Sequence, residues 1–337
     1  MKTIIYPDDL KINDYIGITA TSSGISNNYD KERLEKAKFS LAKRGYKITE
    51  TDNVMKNNMF VSSSPKTRAK EFLSLWQNDK IKVIAQLRGG EFLMEMLPYL
   101  DDNILKNTKP KWLTGYSDSS LLNFFITTKY NIATLTSPNV LQFSLEEVHE
   151  SLIDKSNILE GKNNIQESFS KYEGKNVKEK IRYNLNKKVK YKSLYADQKT
   201  IIKGRMLGGC IEAISEVIGT RYDYVEDFIN NFSEGILWYI DIFDSNPISL
   251  YRLLWQMKEN NWFKNTTGVI IGRTRAKKKI GDFSYLDALH KIFDNLNIPV
   301  IYDIDLGHVM PSFSIINGSL GTFCYENGKG YLKQEKI

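Results

Sequence analysis

The sequence predicts an α/β fold whose first part is a doubly wound, Rossmann-like parallel sheet, and three observations predict it. Short apolar runs alternate with stretches whose apolar residues recur at helical spacing. Helix caps and glycines fall where those stretches begin and end, and small residues follow the apolar runs directly. The chain is also longer than one typical core, at 337 residues, and its 41 % of hydrophobic residues is enough to bury two domains.

Each element follows in order. "DYIGITA" (14–20) reads as the first strand, and "KERLEKAKFSLAKRGY" puts Leu34, Ala37, Leu41 and Ala42 on one helical face before Gly45 ends it. "YKIT" returns as a strand. In "SSSPKTRAKEFLSLWQ" Ser64 is the expected N-cap, Pro65 takes the first helical position, and Ala69, Phe72, Leu73 and Trp76 form the buried stripe. "IKVIAQL" is the third strand, followed at once by Gly89 and Gly90. A short helix, the strand "KWLTG" and a helix from Ser119 complete the run. Sites in such sheets lie at the carboxyl ends of the strands.

Composition excludes several classes. No apolar run approaches the roughly 18 residues of a membrane span, and the start "MKTIIYPDDLKIND" lacks an export signal, so a cytoplasmic protein without a membrane partner is expected. Cys210 and Cys324 fit neither a metal spacing nor a disulfide framework and read as buried small apolar residues; no metal or cofactor is expected. The net charge of +7 is uneven: residues 171–205 hold 12 Lys or Arg against Glu173, Glu179 and Asp197, a local +9 that leaves −2 elsewhere. That segment reads as a solvated connection, or else as a basic rim for an anionic ligand. No nucleic-acid motif accompanies it, so no nucleic-acid partner is expected.

"KWLTGYSDSS" (111–120) carries the chemistry. A strand, a sharp turn bearing Ser117 and an immediate helix make a nucleophile elbow, which lifts a hydroxyl clear of the sheet; the same serine also suits a plain helix N-cap. Gly89 and Gly90 fall on the same rim, where bare N–H groups approach an oxyanion or a phosphate, although their spacing meets no dinucleotide or P-loop fingerprint. A serine nucleophile needs a base, and the chain has only three histidines. His149 and His290 read as surface residues, while His308 lies in the loop "GHVMPSF" after a strand. In the apolar strand "GILWYIDIFD" (235–244) the intruding Asp241 needs a partner, and a histidine is one candidate.

These pieces, with "VSSSPKTRAKEF", "EMLPYLD", "GRMLGGCIEAISEVIGT" and "IPVIYDIDLGHVMPSFSIINGSLGTF", resemble in order the serine LD-carboxypeptidase family, which includes peptidases conferring self-immunity to microcin C. The resemblance implies an N-terminal Rossmann-like domain over 1–140 carrying the serine, a lysine-rich connecting segment over 141–200, and a β-rich α/β domain over 201–337 carrying the acid and the histidine. It implies Ser117 as nucleophile, His308 as base and Asp241 as the third member, with the backbone N–H groups of Gly90 and Asp118 as the oxyanion hole. The implied activity is removal of the terminal D-alanine of a murein tetrapeptide by a homodimer. Hydrolysis of a microcin C-type peptidyl-nucleotide, or binding of such ligands by a weakened paralogue, stands as the alternative. The family has glutamate where this chain has Asp241, one methylene shorter, so whether the carboxylate reaches His308 is open; Asp244 is the fallback, although three residues along a strand it points to the opposite face unless the chain has already turned. Arg273 and Arg275 in "GRTRAKK" read as structural or as ligands of a substrate carboxylate.

Overall fold

The computed structural model describes residues 3–175, 182–196 and 198–337. Residues 176–181 and 197, part of the lysine-rich segment, lie outside the described residues. The first part runs β1 (Tyr15–Thr19), α1 (Asn28–Lys43), β2 (Lys47–Glu50), α2 (Pro65–Gln77), β3 (Ile81–Gln86), α3 (Asp102–Asn107), β4 (Trp112–Gly115), α4 (Ser120–Tyr130) and β5 (Thr134–Thr136). α2 starts as its sequence dictates: the Ser64 hydroxyl accepts the Thr67 amide at 3.3 Å, Pro65 takes the first turn, and Ala69, Phe72, Leu73 and Trp76 are buried. α1 buries Leu34, Ala37 and Leu41, but Ala42 is exposed, because it stands about 100° around the helix from Leu41 and falls off a narrow stripe.

These five strands are parallel, in the order β5-β4-β3-β1-β2. The chain winds outward from β1 in both directions, so the crevice above β1 and β3 is the switch point at which such sheets take ligands.

The second part follows as α5 (Glu150–Leu159), β6 (Ile165–Glu167), β7 (Lys171–Glu173), β8 (Leu185–Lys188), β9 (Lys192–Ser193), β10 (Thr200–Cys210), α6 (Ile211–Ile214), α7 (Val225–Asn231), β11 (Ile236–Asp241), α8 (Pro247–Glu259), β12 (Thr266–Gly272), α9 (Tyr285–Phe293), β13 (Val300–Ile304), β14 (Ile315–Asn317), β15 (Leu320–Glu326) and β16 (Lys329–Glu335). Its eight-stranded sheet has the order β6-β16-β15-β10-β11-β12-β13-β9, with β10 to β13 parallel. Both faces are buried, and the side chains of β11 alternate: Ile236, Trp238 and Ile240 join the large core shared with the first sheet, Leu237 and Tyr239 a second core. β14 crosses back to pair antiparallel with β5, and the Tyr239 hydroxyl donates to Thr136 Oγ1 at 2.8 Å, so the two sheets are stitched together beneath the crevice.

Short pieces of the segment 141–200 read as a connection join this sheet, β6 pairing with β16 and β9 with β13, while β7 and β8 pair as a separate two-stranded sheet and Lys192 reaches Asp303 at 3.1 Å. Among the described residues no helix is long and apolar enough to cross a membrane.

Candidate active site

Ser117 sits at the carboxyl end of β4 with φ +64°, a left-handed conformation that a residue with a Cβ adopts only when its surroundings impose it. Several contacts do. The Asn139 side chain clamps the backbone of Tyr116, accepting its N–H at 3.2 Å and donating to its C=O at 3.3 Å. Asn123 Nδ2 donates to the Gly115 carbonyl at 3.0 Å, and a Cβ on Gly115 would come within 2.7 Å of Gln86 Cγ. The Ser120 hydroxyl donates to the Ser117 carbonyl and accepts the Cys210 amide at 3.0 Å, tying the corner to the end of β10. The strand-turn-helix geometry is therefore an elbow, with the serine on its apex.

The glycine turn after β3 abuts that apex. A Cβ on Gly89 would lie 2.8 Å from Ser117 Oγ and 3.5 Å from the Asp118 amide nitrogen, whereas one on Gly90 would strike Ser22 Oγ and Ser23 Oγ at 2.2 and 2.5 Å. The Asp118 carboxylate is tied down beside this turn, accepting from the Ser22 hydroxyl and, at 3.1 Å, from the Leu93 amide. Burial pushes its pKa up to about 6 against those two hydrogen bonds.

His308 enters the same cleft from the loop after β13. Its Nδ1 lies 2.7 Å from Asp241 Oδ2, and its backbone N–H donates to Asp241 Oδ1 at 3.2 Å, so both carboxylate oxygens face one residue. The ring contact is an ion-pair distance with the N–H off the line of an ideal hydrogen bond. Asp241 thus spans the gap despite its short side chain, and Asp244 stands exposed on the cleft wall. Gly307 explains how. It has φ +89°, and a Cβ there would lie 1.8 Å from Asp241 Oδ1. Gly307→Ala is expected to cost about 1–3 kcal/mol and to displace the imidazole, read as a lower melting temperature together with lost turnover.

The imidazole is flanked by the rings of Tyr116 and Phe243, with centroids at 4.9 and 4.6 Å. Burial opposes its positive charge, but the negative charge of the adjacent Asp241 carboxylate, aided by Glu212 and Asp244, outweighs burial and raises the His308 pKa above the ordinary value. A histidine acting as general base must be neutral, so if His308 has that role the acid limb of kcat/KM is expected above about pH 6.5. Asp241→Asn removes the largest raising influence while burial stays, and should move that limb to lower pH; a pH–rate profile of both proteins checks this. In linkage terms, the charged His308 contributes stability that is complete below its unfolded pKa and is lost as pH rises through the folded one.

The cleft encloses about 450 Å³, lined among others by Ser117, His308, Gly89, Gly90 and Tyr116. Two features had no signal in local sequence pattern. Buried Asp30 holds two arginines of the cleft wall, Arg88 at 2.7 Å and Arg33 at 3.2 Å, leaving a cationic corner. Glu212 accepts the backbone N–H groups of Phe243 at 3.1 Å, Asp244 at 3.3 Å and Ser245 at 3.0 Å, so it fixes the turn that follows Asp241. Its pKa falls below the usual carboxylate value: burial raises it, but hydrogen bonds from Ser245 and Cys210 prevail.

Other candidates lie elsewhere. Arg273 is buried, bonded to Asp305 at 2.8 Å and stacked over Tyr172; Arg275 donates to the Glu173 carbonyl at 3.0 Å. His149, read as a surface residue, is half-buried as the N-cap of α5, its Nδ1 accepting the Ser151 amide at 3.1 Å, and His290 is partly exposed beside Asp294. Both cysteines are free and buried.

Residues 16–137 match the LD-carboxypeptidase N-terminal domain family, and residues 203–323 match the LD-carboxypeptidase C-terminal domain family. The chain is 26 % identical to the microcin C7 self-immunity protein MccF of Escherichia coli, over 97 % of this chain and 96 % of that one. It is 24 % identical to a putative carboxypeptidase of Vibrio cholerae (96 % of each) and 18 % identical to a probable murein peptide carboxypeptidase of Bacillus subtilis (93 % and 89 %). Its fold superposes on the crystal structure of an MccF-like protein from Bacillus anthracis with a TM-score of 0.82 at 22 % identity, covering 99 % of this chain and 100 % of that one. MccF in complex with glutamyl sulfamoyl guanosine gives 0.81 at 21 % identity, over 98 % and 99 %.

Proposed function

The chain belongs to the serine LD-carboxypeptidase family, and from that premise we propose that it is a serine carboxypeptidase cleaving the L,D bond before the terminal D-alanine of a murein tetrapeptide. The observation that carries the reading is Ser117 held at φ +64° on its elbow, facing the cleft that His308 also lines. In the proposed reaction His308 takes the Ser117 proton and the alkoxide attacks the amide carbonyl. The developing oxyanion accepts from the Asp118 and Gly90 N–H groups, and the imidazolium then protonates the leaving amine. Water hydrolyses the acyl-serine by the same route. Asp241 orients the ring and stabilises its charge.

The Gly90 role has physical support. The Ser23 N–H donates to the Gly89 carbonyl at 3.3 Å, and a planar trans peptide then turns the Gly90 N–H to the side opposite Ser23. Substrate polarity is supported by the cleft walls: Arg33 and Arg88 suit a terminal carboxylate, and Glu91 suits an ammonium group elsewhere on the peptide.

A second reading, hydrolysis of a peptidyl-nucleotide, draws support from Phe60 and Phe243, exposed at 68 % and 50 % on the cleft wall, where an aromatic base finds stacking partners. The reading as a binding protein starts from a carboxylate too short to reach; the 2.7 Å between Asp241 Oδ2 and His308 Nδ1 supports the enzyme reading over it. Incubation with L,D-linked muropeptides, all-L peptides and aminoacyl-nucleotides, with products weighed by mass spectrometry, tests all three. Loss of one terminal alanine from the L,D tetrapeptide alone is the expected outcome. Cleavage confined to aminoacyl-nucleotides would favour the second reading, and cleavage of none would overturn both.

A further inference from the structure

Folding brings together donors that the sequence keeps far apart. One atom each from Cys210, Asp241 and His308 lies within 4.8 Å of the others. Cys210 and Asp241 close adjacent parallel strands as direct register partners, and His308 comes from the loop beyond β13. Glu212 Oε2 accepts the Cys210 thiol at 3.1 Å, putting a second carboxylate beside the group. His308 Nε2 is buried without a hydrogen-bond partner among the described residues, and both Cys210 and His308 line the cleft, which provides an entry path.

Thiolate, imidazole and carboxylate are the donor set of borderline-soft zinc rather than of magnesium or calcium, which take oxygen ligands. We propose that Cys210, His308 and Asp241 bind a zinc ion that shuts the site, with Glu212 or a cleft water in the fourth position. Ligands about 2.0–2.3 Å from a tetrahedral zinc stand about 3.3–3.8 Å from one another, so the group contracts by about an ångström at its widest while the His308–Asp241 contact opens slightly. On binding, the Cys210 S–H bond breaks, a sulfur–zinc bond forms and the proton leaves to solvent.

Inhibition follows whichever ring nitrogen is taken. Zinc on Nε2 occupies the lone pair that would receive the Ser117 proton; zinc on Nδ1 forces the ring proton onto Nε2. Asp241 is drawn to the metal in either case. This inhibitory half rests on the reading of His308 as the base, whereas the binding half does not.

The full-length protein, stripped of metal, is therefore titrated with cobalt(II) and followed by absorption, then with zinc by equilibrium dialysis. The expected result is a near-ultraviolet thiolate-to-cobalt charge-transfer band, displaced by one zinc per chain, with hydrolysis falling in step with zinc occupancy. Cys210→Ser and Cys210→Ala, checked for folding by melting temperature, should lose the band and raise the zinc needed to halve each variant's own metal-free rate by about tenfold or more. Cys324→Ser should behave as the parent. No band in the parent, or a band that survives in a folded Cys210 variant, overturns the site. Stoichiometric zinc with full hydrolysis overturns the inhibition. Should the protein hydrolyse no substrate tried, the cobalt spectrum still decides the binding.

Discussion

Ser117→Ala is expected to remove about six orders of magnitude in kcat, by comparison with other serine triads, while the protein remains folded. The hydroxyl is half-exposed at a corner and contributes little packing, so its loss leaves no cavity. A further substitution separates chemistry from strain. Because residue 117 has φ +64°, glycine is relieved of a clash that serine and alanine both suffer. Ser117→Gly should therefore be as inactive as Ser117→Ala and more stable than the parent, by about 1 kcal/mol in denaturant unfolding. Near-parental turnover in either variant would contradict the assignment of the nucleophile. A Gly variant less stable than the Ala variant would contradict the strained elbow.

Asp241→Asn should cost about 10⁴ in kcat, because an amide keeps the shape but favours the wrong imidazole tautomer and cannot balance the imidazolium. The family's glutamate is not expected to restore or raise the rate. Asp241 is 2 % exposed, its Oδ1 fills the space that a Cβ on Gly307 would need, and its Oδ2 already stands 2.7 Å from the ring. One more methylene has nowhere to go except into the imidazole, so Asp241→Glu should be slower and less stable by about 1–3 kcal/mol. A faster Glu variant would show that the carboxylate of the parent falls short in the working enzyme. Asp244→Asn is expected to change the rate only slightly, since that side chain is exposed and acts on His308 only as a distant charge.

The N-terminal strands, the Ser64–Pro65 helix start and the serine corner were legible because each is a local pattern of periodicity, cap and turn. Asp241 was legible for a different reason: a carboxylate in an apolar strand demands a partner. What escaped depends on contacts between distant segments. Nothing near Glu212 in the chain says that its carboxylate receives the amides of residues 243–245, and nothing near Asp30 announces two arginines, one of them 58 residues on. The return of β14 to the edge of the first sheet is a pairing across 179 residues between Ile315 and Thr136, and three-residue strands carry too little alternation to advertise it. Ala42 failed because alanine suits either side of a helix, so pattern alone cannot assign its face. The short reach of Asp241 became sufficient through Gly307, whose left-handed conformation and missing Cβ let the loop close onto the carboxylate.

The central claim is that Ser117, His308 and Asp241 act as one proton-transfer unit, and it is tested without any choice of substrate by the pH dependence of alkylation of Ser117→Cys with iodoacetamide. A thiol on the elbow beside a His308 stabilised by Asp241 should ionise well below the usual cysteine range, as in other paired cysteine–histidine sites. Peptide mapping should then find residue 117 alkylated rapidly at pH 6, with Cys210 spared because burial, followed by Asp241 and Glu212, holds its thiol well above the usual value. Adding His308→Ala or Asp241→Asn should return the reactivity to that of an ordinary thiol near pH 8.5. If residue 117 reacts with an ordinary thiol profile in the single variant, and neither added substitution changes it, the three residues do not form such a unit.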